Sequence, residues 1–329
     1  MGLSERELIE EILAPLAGAD DGSLGLSDDA ALIVGEVGRD LIVTQDSLVE
    51  DVHFRSDDPP RLIAQKALRV NLSDLAAKGA EPHCYFLSIA LPEKITRAWL
   101  EEFAEGLAVD QSEFAISLYG GDTVRAPHAL MLTITACGKV PGGEMVRRAG
   151  ARPGDHIYVS GTIGDGALGL AVLTGGCDAI MELSQTQRDE LAGRYHLPRP
   201  RMALAPVLRG FASAAMDISD GLAGDLGLLA SASGVSAEID AAAIPLSLPC
   251  RMAIKTDAAL FARALSGGDD YEILCTVAPQ NCAQFEAAAG LAGIDVTVIG
   301  TVAQGTDAPV FRAASGQVLT FETASYAHF

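Results

Sequence analysis

Residues 216–222 read MDISDGL, an apolar strand end that breaks into two aspartates and a glycine. Asp217 closes the apolar run, and Asp220 stands just before Gly221, a residue type that lets the backbone turn sharply. The same design recurs in SDDAAL (27–32), TQDS (44–47), GGDT (120–123) and SGGDDYE (266–272). A carboxylate at a strand end, followed by a small residue, is free of the pleat and can meet oxygen donors brought by other segments. Turn chemistry and helix capping account for any single motif equally well, and Asp220 and Asp225 could each be caps. Five such motifs on separate segments favour a cage of oxygen ligands for hard cations.

The rest of the chain sets the limits on that cage. With 329 residues, 49% hydrophobic and 20% charged, it is long enough for two domains, each with its own core. Forty-four acidic against 23 basic residues give a formal net charge of −21, which opposes attraction to nucleic acid or to an anionic membrane. The same charge repels phosphate unless cations stand between. Six cysteines lack CxxC or cysteine-histidine ligand spacing and read as reduced core residues. The N-terminal MGLSERELIEEILAPLAG repeats its apolar positions at helical spacing, with Ser4 and Glu7 set as a capping box, so a helix is expected there and not a signal peptide. No run approaches membrane-spanning length, and a cytoplasmic protein is expected.

Strands are expected at 40–48, 84–91, 114–123 and 129–140, with helices at 60–80 and 96–111, the second capped by a threonine. This makes the first half a β-rich α+β layer. Gly, Pro and basic residues then gather in RRAGARPGDHIYVSGTIGDG, which marks the junction between domains 1–150 and 151–329. A second α/β unit follows, with helices near 165–174, 200–213 and 220–232 and strands near 156–160, 214–218, 235–240, 270–277 and 295–302. GxxxxGK[ST] is absent, and SGTIGDG (160–166) fits the dinucleotide fingerprint poorly. Neither a GxSxG elbow nor an HExxH zinc site occurs.

TQDSLVEDVHF (44–54), KALRVNLSDLAAKGAEP (66–82), GGDTVR (120–125), RRAGARPGD (147–155), MDISDGL (216–222) and LSGGDDYEIL (265–274) together resemble the thiamine-monophosphate kinases. That family belongs to the aminoimidazole ribonucleotide synthetase-like superfamily, which binds ATP without a P-loop. The resemblance implies a two-domain α+β fold, with a β-rich N-terminal dimerisation domain and an α/β C-terminal domain. It also implies ATP-dependent phosphorylation of thiamine monophosphate to thiamine diphosphate, several Mg²⁺ ions and a homodimer.

Carried over residue by residue, the likeness makes Asp29, Thr44, Asp46, Asp74, Asp122, Asp217 and Asp220 magnesium ligands. Gly121, Asp122, Arg148 and Ser219 then contact ATP, and His53, Asp269 and Tyr326 contact the substrate. The family usually reads GDDAA, TDT and a glutamate where this chain has Ser27, Gln45-Asp46-Ser47 and Asp269. No covalent nucleophile is implied, since phosphoryl transfer needs positioning and charge neutralisation above all. The rival readings are a purine cyclase or selenophosphate synthetase type of the same superfamily, or a non-catalytic nucleotide-binding protein.

Overall fold

A computed structural model describes residues 7–17, 21–27, 30–321, 323 and 325. The chain divides into two compact units, one formed by residues 1–75 and 80–145, the other by 76–79 and 146–329.

The first unit is built on a four-stranded sheet. β1 (Arg39–Val49), β2 (Glu81–Leu91), β3 (Ser117–Arg125) and β4 (Met131–Pro141) lie in the order β1-β4-β2-β3, antiparallel except for the β2/β3 pair. Helices α1 (Pro60–Ala77) and α2 (Arg97–Phe114) cover one face. They pack closely because Gly106 of α2 has no side chain: a Cβ there would lie 2.4 Å from the Arg61 carbonyl oxygen. Alternation along the strands sends Tyr85, Leu87, Ile89, Leu132 and Ile134 toward these helices, and all are buried. Thr96 caps α2 as expected, accepting the Trp99 N–H at 3.2 Å, a contact worth about 1 kcal/mol.

The segment expected to run from 96 to 111 as a helix continues to Phe114, where Ala115 turns left-handed (φ 51°) and ends it, so β3 begins only at Ser117. The N-terminal segment also departs from expectation. Ser4 lies outside the described residues, and Leu8–Leu13 winds as a π-helix, with the Ala14 N–H bonding the Ile9 carbonyl five residues back. Pro15 supplies no N–H, and the chain tightens into a 3₁₀ turn over Ala14–Ala17.

The second unit holds a six-stranded sheet from β5 (His156–Ser160), β6 (Ala212–Ile218), β7 (Ser236–Asp240), β8 (Glu272–Val277), β9 (Val296–Ala303) and β10 (Val310–Arg312). Their order is β10-β7-β9-β5-β8-β6, antiparallel except where β10 joins β7. Every residue of β8 is buried, because both faces of the sheet are covered. Met216, Leu274 and Ile157 pack on one side with Leu222, Leu226 and Leu229; Ile273, Cys275 and Tyr158 pack on the other with Leu208 and Phe285.

The helices of this unit are α3 (Asp165–Leu173), α4 (Asp178–Met181), α5 (Gln185–His196), α6 (Ala205–Phe211), α7 (Leu222–Ser233), α8 (Leu248–Thr256), α9 (Ala259–Ser266) and α10 (Cys282–Leu291). The helix expected over 200–213 is shorter: a 3₁₀ turn at Met202–Leu204 precedes α6, and residues 212–213 already belong to β6. Helices α4, α5, α8, α9 and α10 were not expected. For α5 the signal was present, since Ser184 and Gln187 form a complete capping box. All six cysteines are free thiols; Cys84, Cys137, Cys250 and Cys275 are buried as expected of core residues, whereas Cys177 and Cys282 are half-buried. Among the described residues no helix is long and apolar enough to cross a membrane.

Candidate active site

In the first unit, strand β1 and helix α1 bring two of the expected ligands into contact. The Thr44 hydroxyl donates a hydrogen bond to Asp74 Oδ2. Thr44 lies on the helix-covered face of β1, and Asp46, two residues along, shares it by alternation. Asp122 does not join them there. The register aligns Ser47, Thr133, Ser88 and Asp122 in one row across all four strands, and Ser47 Oγ meets Thr133 Oγ1 at 2.7 Å on the opposite face. Asp122 lines a cavity of about 470 Å³, to which Ser88, Gly121, Ile9, Leu13 and Leu26 also contribute.

Gly121 has a structural reason of its own. A Cβ at this position would lie 1.8 Å from the Leu87 carbonyl oxygen, so only glycine lets β3 approach β2.

His53 follows a turn in which Asp51 is left-handed (φ 63°). Its Nδ1 accepts the Val49 N–H at 3.0 Å, so the neutral tautomer is the one with its proton on Nε2. Lys66 Nζ donates to the His53 carbonyl at 3.0 Å and holds the turn to α1. Asp29 and Tyr326 lie outside the described residues.

In the second unit the acidic loops interlock. The loop after β6 carries Ser219, Asp220 and Gly221; Gly221 takes φ 114°, and a Cβ there would meet the Ser266 backbone at 2.7 Å. The Asp269 N–H donates to the Ser219 carbonyl at 2.9 Å and the Tyr271 N–H to the Ile218 carbonyl at 2.8 Å. Gly268 completes the fit, since its Cβ would stand 2.4 Å from the Ser219 oxygen. The fold thus places Asp269, expected to contact substrate, against the loop that carries Ser219 and Asp220. Arg148 is exposed, and its charge is felt at Asp225, in the first turn of α7. Burial pushes the Asp225 carboxyl up to about 7, against the amides of Asp220 and Ser219 and the charge of Arg148, which favour ionisation.

Among the buried carboxylates to which the sequence assigned no site role, three stand in or beside these loops: Asp225, Asp270 and Glu272. Besides Asp225, Asp270 accepts the N–H groups of Gly164 (2.7 Å) and Gly166 (3.0 Å) at the start of α3, and burial holds its carboxyl well above the usual range. In the glycine-rich SGTIGDG segment, the Gly164 and Gly166 amides are therefore occupied by a carboxylate of the protein itself, and those of Gly161 and Ile163 by the Asp295 and Pro245 carbonyls. Glu272 is completely buried and accepts from Ser160 Oγ (2.5 Å), Arg194 Nη2 (2.8 Å) and Arg201 Nε (2.6 Å). Asp270 and Glu272 stand in the SGGDDYE run, but their partners lie 71 to 112 residues away in sequence. Nothing in the local pattern separates them from Asp269.

Among the described residues, no three His, Cys, Asp or Glu side chains form a ready-made metal cage. The Thr44–Asp74 pair offers oxygen donors only, which suits Mg²⁺ and not a thiophilic metal.

Comparison with known proteins adds to this geometry. Residues 27–140 match the AIR synthase related protein N-terminal domain, and residues 152–311 match the corresponding C-terminal domain. The thiamine-monophosphate kinase of Caulobacter vibrioides is 41% identical over 305 residues, 92% of this chain and 85% of that protein. Among solved structures, the thiamine-monophosphate kinase of Stenotrophomonas maltophilia K279a superposes with a TM-score of 0.83 at 38% identity, covering 97% of this chain and 99% of that one. A structure described as AaThiL complexed with AMPPCP and TMP superposes at 0.77 with 30% identity, covering 90% and 89%. Two matched domains, a shared fold and this identity along nearly the whole chain lead to one conclusion: the chain belongs to the thiamine-monophosphate kinase family of AIR synthase-related proteins.

Proposed function

We propose that this chain transfers the γ-phosphoryl group of ATP to thiamine monophosphate, giving thiamine diphosphate and ADP. The observation that carries the reading is the placing of Thr44 against Asp74 in a chain so similar to kinases of this name. Family membership sets aside the purine cyclase and selenophosphate synthetase readings. AMPPCP and TMP in the AaThiL complex, which we take as an ATP analogue and thiamine monophosphate, support the substrate pair.

Asp29, Thr44, Asp46, Asp74, Asp122, Asp217 and Asp220 are the residues we assign to Mg²⁺. Bound there, Mg²⁺ would neutralise phosphate charge that an acidic protein otherwise repels. Gly121, Asp122, Arg148 and Ser219 are assigned to ATP, and His53, Asp269 and Tyr326 to the acceptor. The acceptor is itself a phosphate with a second pKa of about 6, so it needs little help from a general base near neutral pH. We also assign the enzyme to the cytoplasm and to a homodimer.

One experiment tests the core of the proposal. With ATP labelled at the γ-phosphorus, ADP release should depend on thiamine monophosphate, and the label should pass to thiamine diphosphate without residing on the protein. ADP release indifferent to thiamine monophosphate would overturn the substrate, and a labelled protein would overturn direct transfer.

A further inference from the structure

We infer that Asp225 is a positioning residue that sets the 217–221 loop in the shape its Mg²⁺ and nucleotide contacts require. The inference rests on the assignment of Asp217 and Asp220 to Mg²⁺ and of Ser219 to ATP. Asp225 is only 1% exposed, and its carboxylate reaches back across Gly221 to the loop that precedes its own helix. There Oδ2 accepts the Asp220 N–H at 3.1 Å, and the neighbouring Ser219 amide also favours the charged form of the carboxyl. On the other side of the same loop, the carbonyls of Ile218 and Ser219 are held by the amides of Tyr271 and Asp269. Donors and acceptors of the loop are thus pinned from opposite directions. Gly221, at φ 114° and close against the Ser266 backbone, makes the turn from this loop into α7.

Plain helix capping is the competing explanation, and the two differ in what they cost and what they control. A cap side chain at position 220 or 221 would satisfy the amides of α7 itself, and no side-chain cap bond is made there. Asp225 instead serves amides that lie outside the helix. Burying a carboxylate without a directly bonded cation costs several kcal/mol, and an arrangement that only closed a helix end could avoid it with serine or asparagine. The fixed peptide planes of Ser219 and Asp220 are what this burial secures.

The test reads the Mg²⁺ dependence of thiamine monophosphate-dependent ADP release in the wild type, Asp225→Ala, Asp225→Asn and Asp220→Asn, each shown to be folded by circular dichroism and thermal melting. Asp225→Ala should raise the Mg²⁺ concentration for half-maximal rate about ten-fold, the equivalent of one lost hydrogen bond. Asp225→Asn keeps an acceptor oxygen in place and should stay within about three-fold of wild type. Asp225→Ser, too short to reach the Asp220 amide, carries the same expectation as alanine should that variant not fold. A residue that merely closed a helix would lower the melting temperature and leave the Mg²⁺ curve where it was, and that result would overturn the inference. If Asp220→Asn itself leaves the Mg²⁺ dependence unchanged, it is the metal assignment of the loop that fails, a separate outcome visible in the same data.

Discussion

Gly121 shows how one residue can carry two meanings. In GGDT it reads as room for the backbone to approach a phosphate, yet the nearest demand on it comes from Leu87, whose carbonyl oxygen a Cβ would meet at 1.8 Å. Because that neighbour is backbone in the middle of a sheet, it cannot swing aside. Gly121→Ala should therefore cost about 3 kcal/mol of stability. Calorimetry should show a fall in Tm on the order of 10 °C, whether or not nucleotide is present. A variant of normal Tm that has lost only ATP binding would give the phosphate role precedence. His53 makes the complementary case: its place beside the TQDS segment was legible, but its tautomer was not, because the Val49 amide that fixes it becomes a neighbour only through the left-handed turn at Asp51.

Elements were legible where one local pattern sufficed. β1 from Leu41 to Leu48 and β4 from Met131 to Ala136 alternate between a more buried and a more exposed side, and the Thr96 cap announced α2. Where the outcome depends on distant partners, the sequence was silent. The run Asp269-Asp270-Tyr271-Glu272 looks uniform, but its residues serve different elements: Asp270 holds the start of α3, and Glu272 binds arginines at the end of α5 and beyond it.

That difference has a consequence for pH. Burial holds the Asp270 carboxyl well above its ordinary value, and Asp225 moves in the same direction, to about 7. A carboxyl raised in the folded state binds more protons there than in the unfolded chain, so its contribution to stability is full below the unfolded pKa and is lost as pH rises through the folded one. Urea unfolding of the metal-free protein across pH 4 to 8 should accordingly show a smaller fall in stability with pH for Asp270→Asn than for the wild type. An unchanged or steeper dependence in the variant would mean that Asp270 is ionised throughout.

At the scale of the whole molecule, charge and apolar surface pull in opposite directions. A net charge of −21 keeps copies of the chain apart, more so at low ionic strength. The sheet of the first unit nonetheless leaves apolar side chains in the open. Leu41 and Val43 of β1 share a face with Met131 of β4 and Val124 of β3, opposite the face that α1 and α2 cover, and Val43 is 57% exposed. Exposed apolar groups aligned on one face of a sheet are a feature of association surfaces. The same face carries the row that ends in Asp122, so a partner seated there would also stand beside a residue we assign to metal and nucleotide. The proposed homodimer therefore makes a double prediction. Light scattering of the wild type should give twice the chain mass of 34.1 kDa, with added salt favouring the dimer by screening the acidic protomers. Val43→Glu sets a charge into the seam without touching any assigned ligand, and it should yield a folded species of single-chain mass whose ADP release is largely lost. A variant that stays dimeric would place the seam elsewhere, and an active monomer would show that one copy of the chain is sufficient for the site.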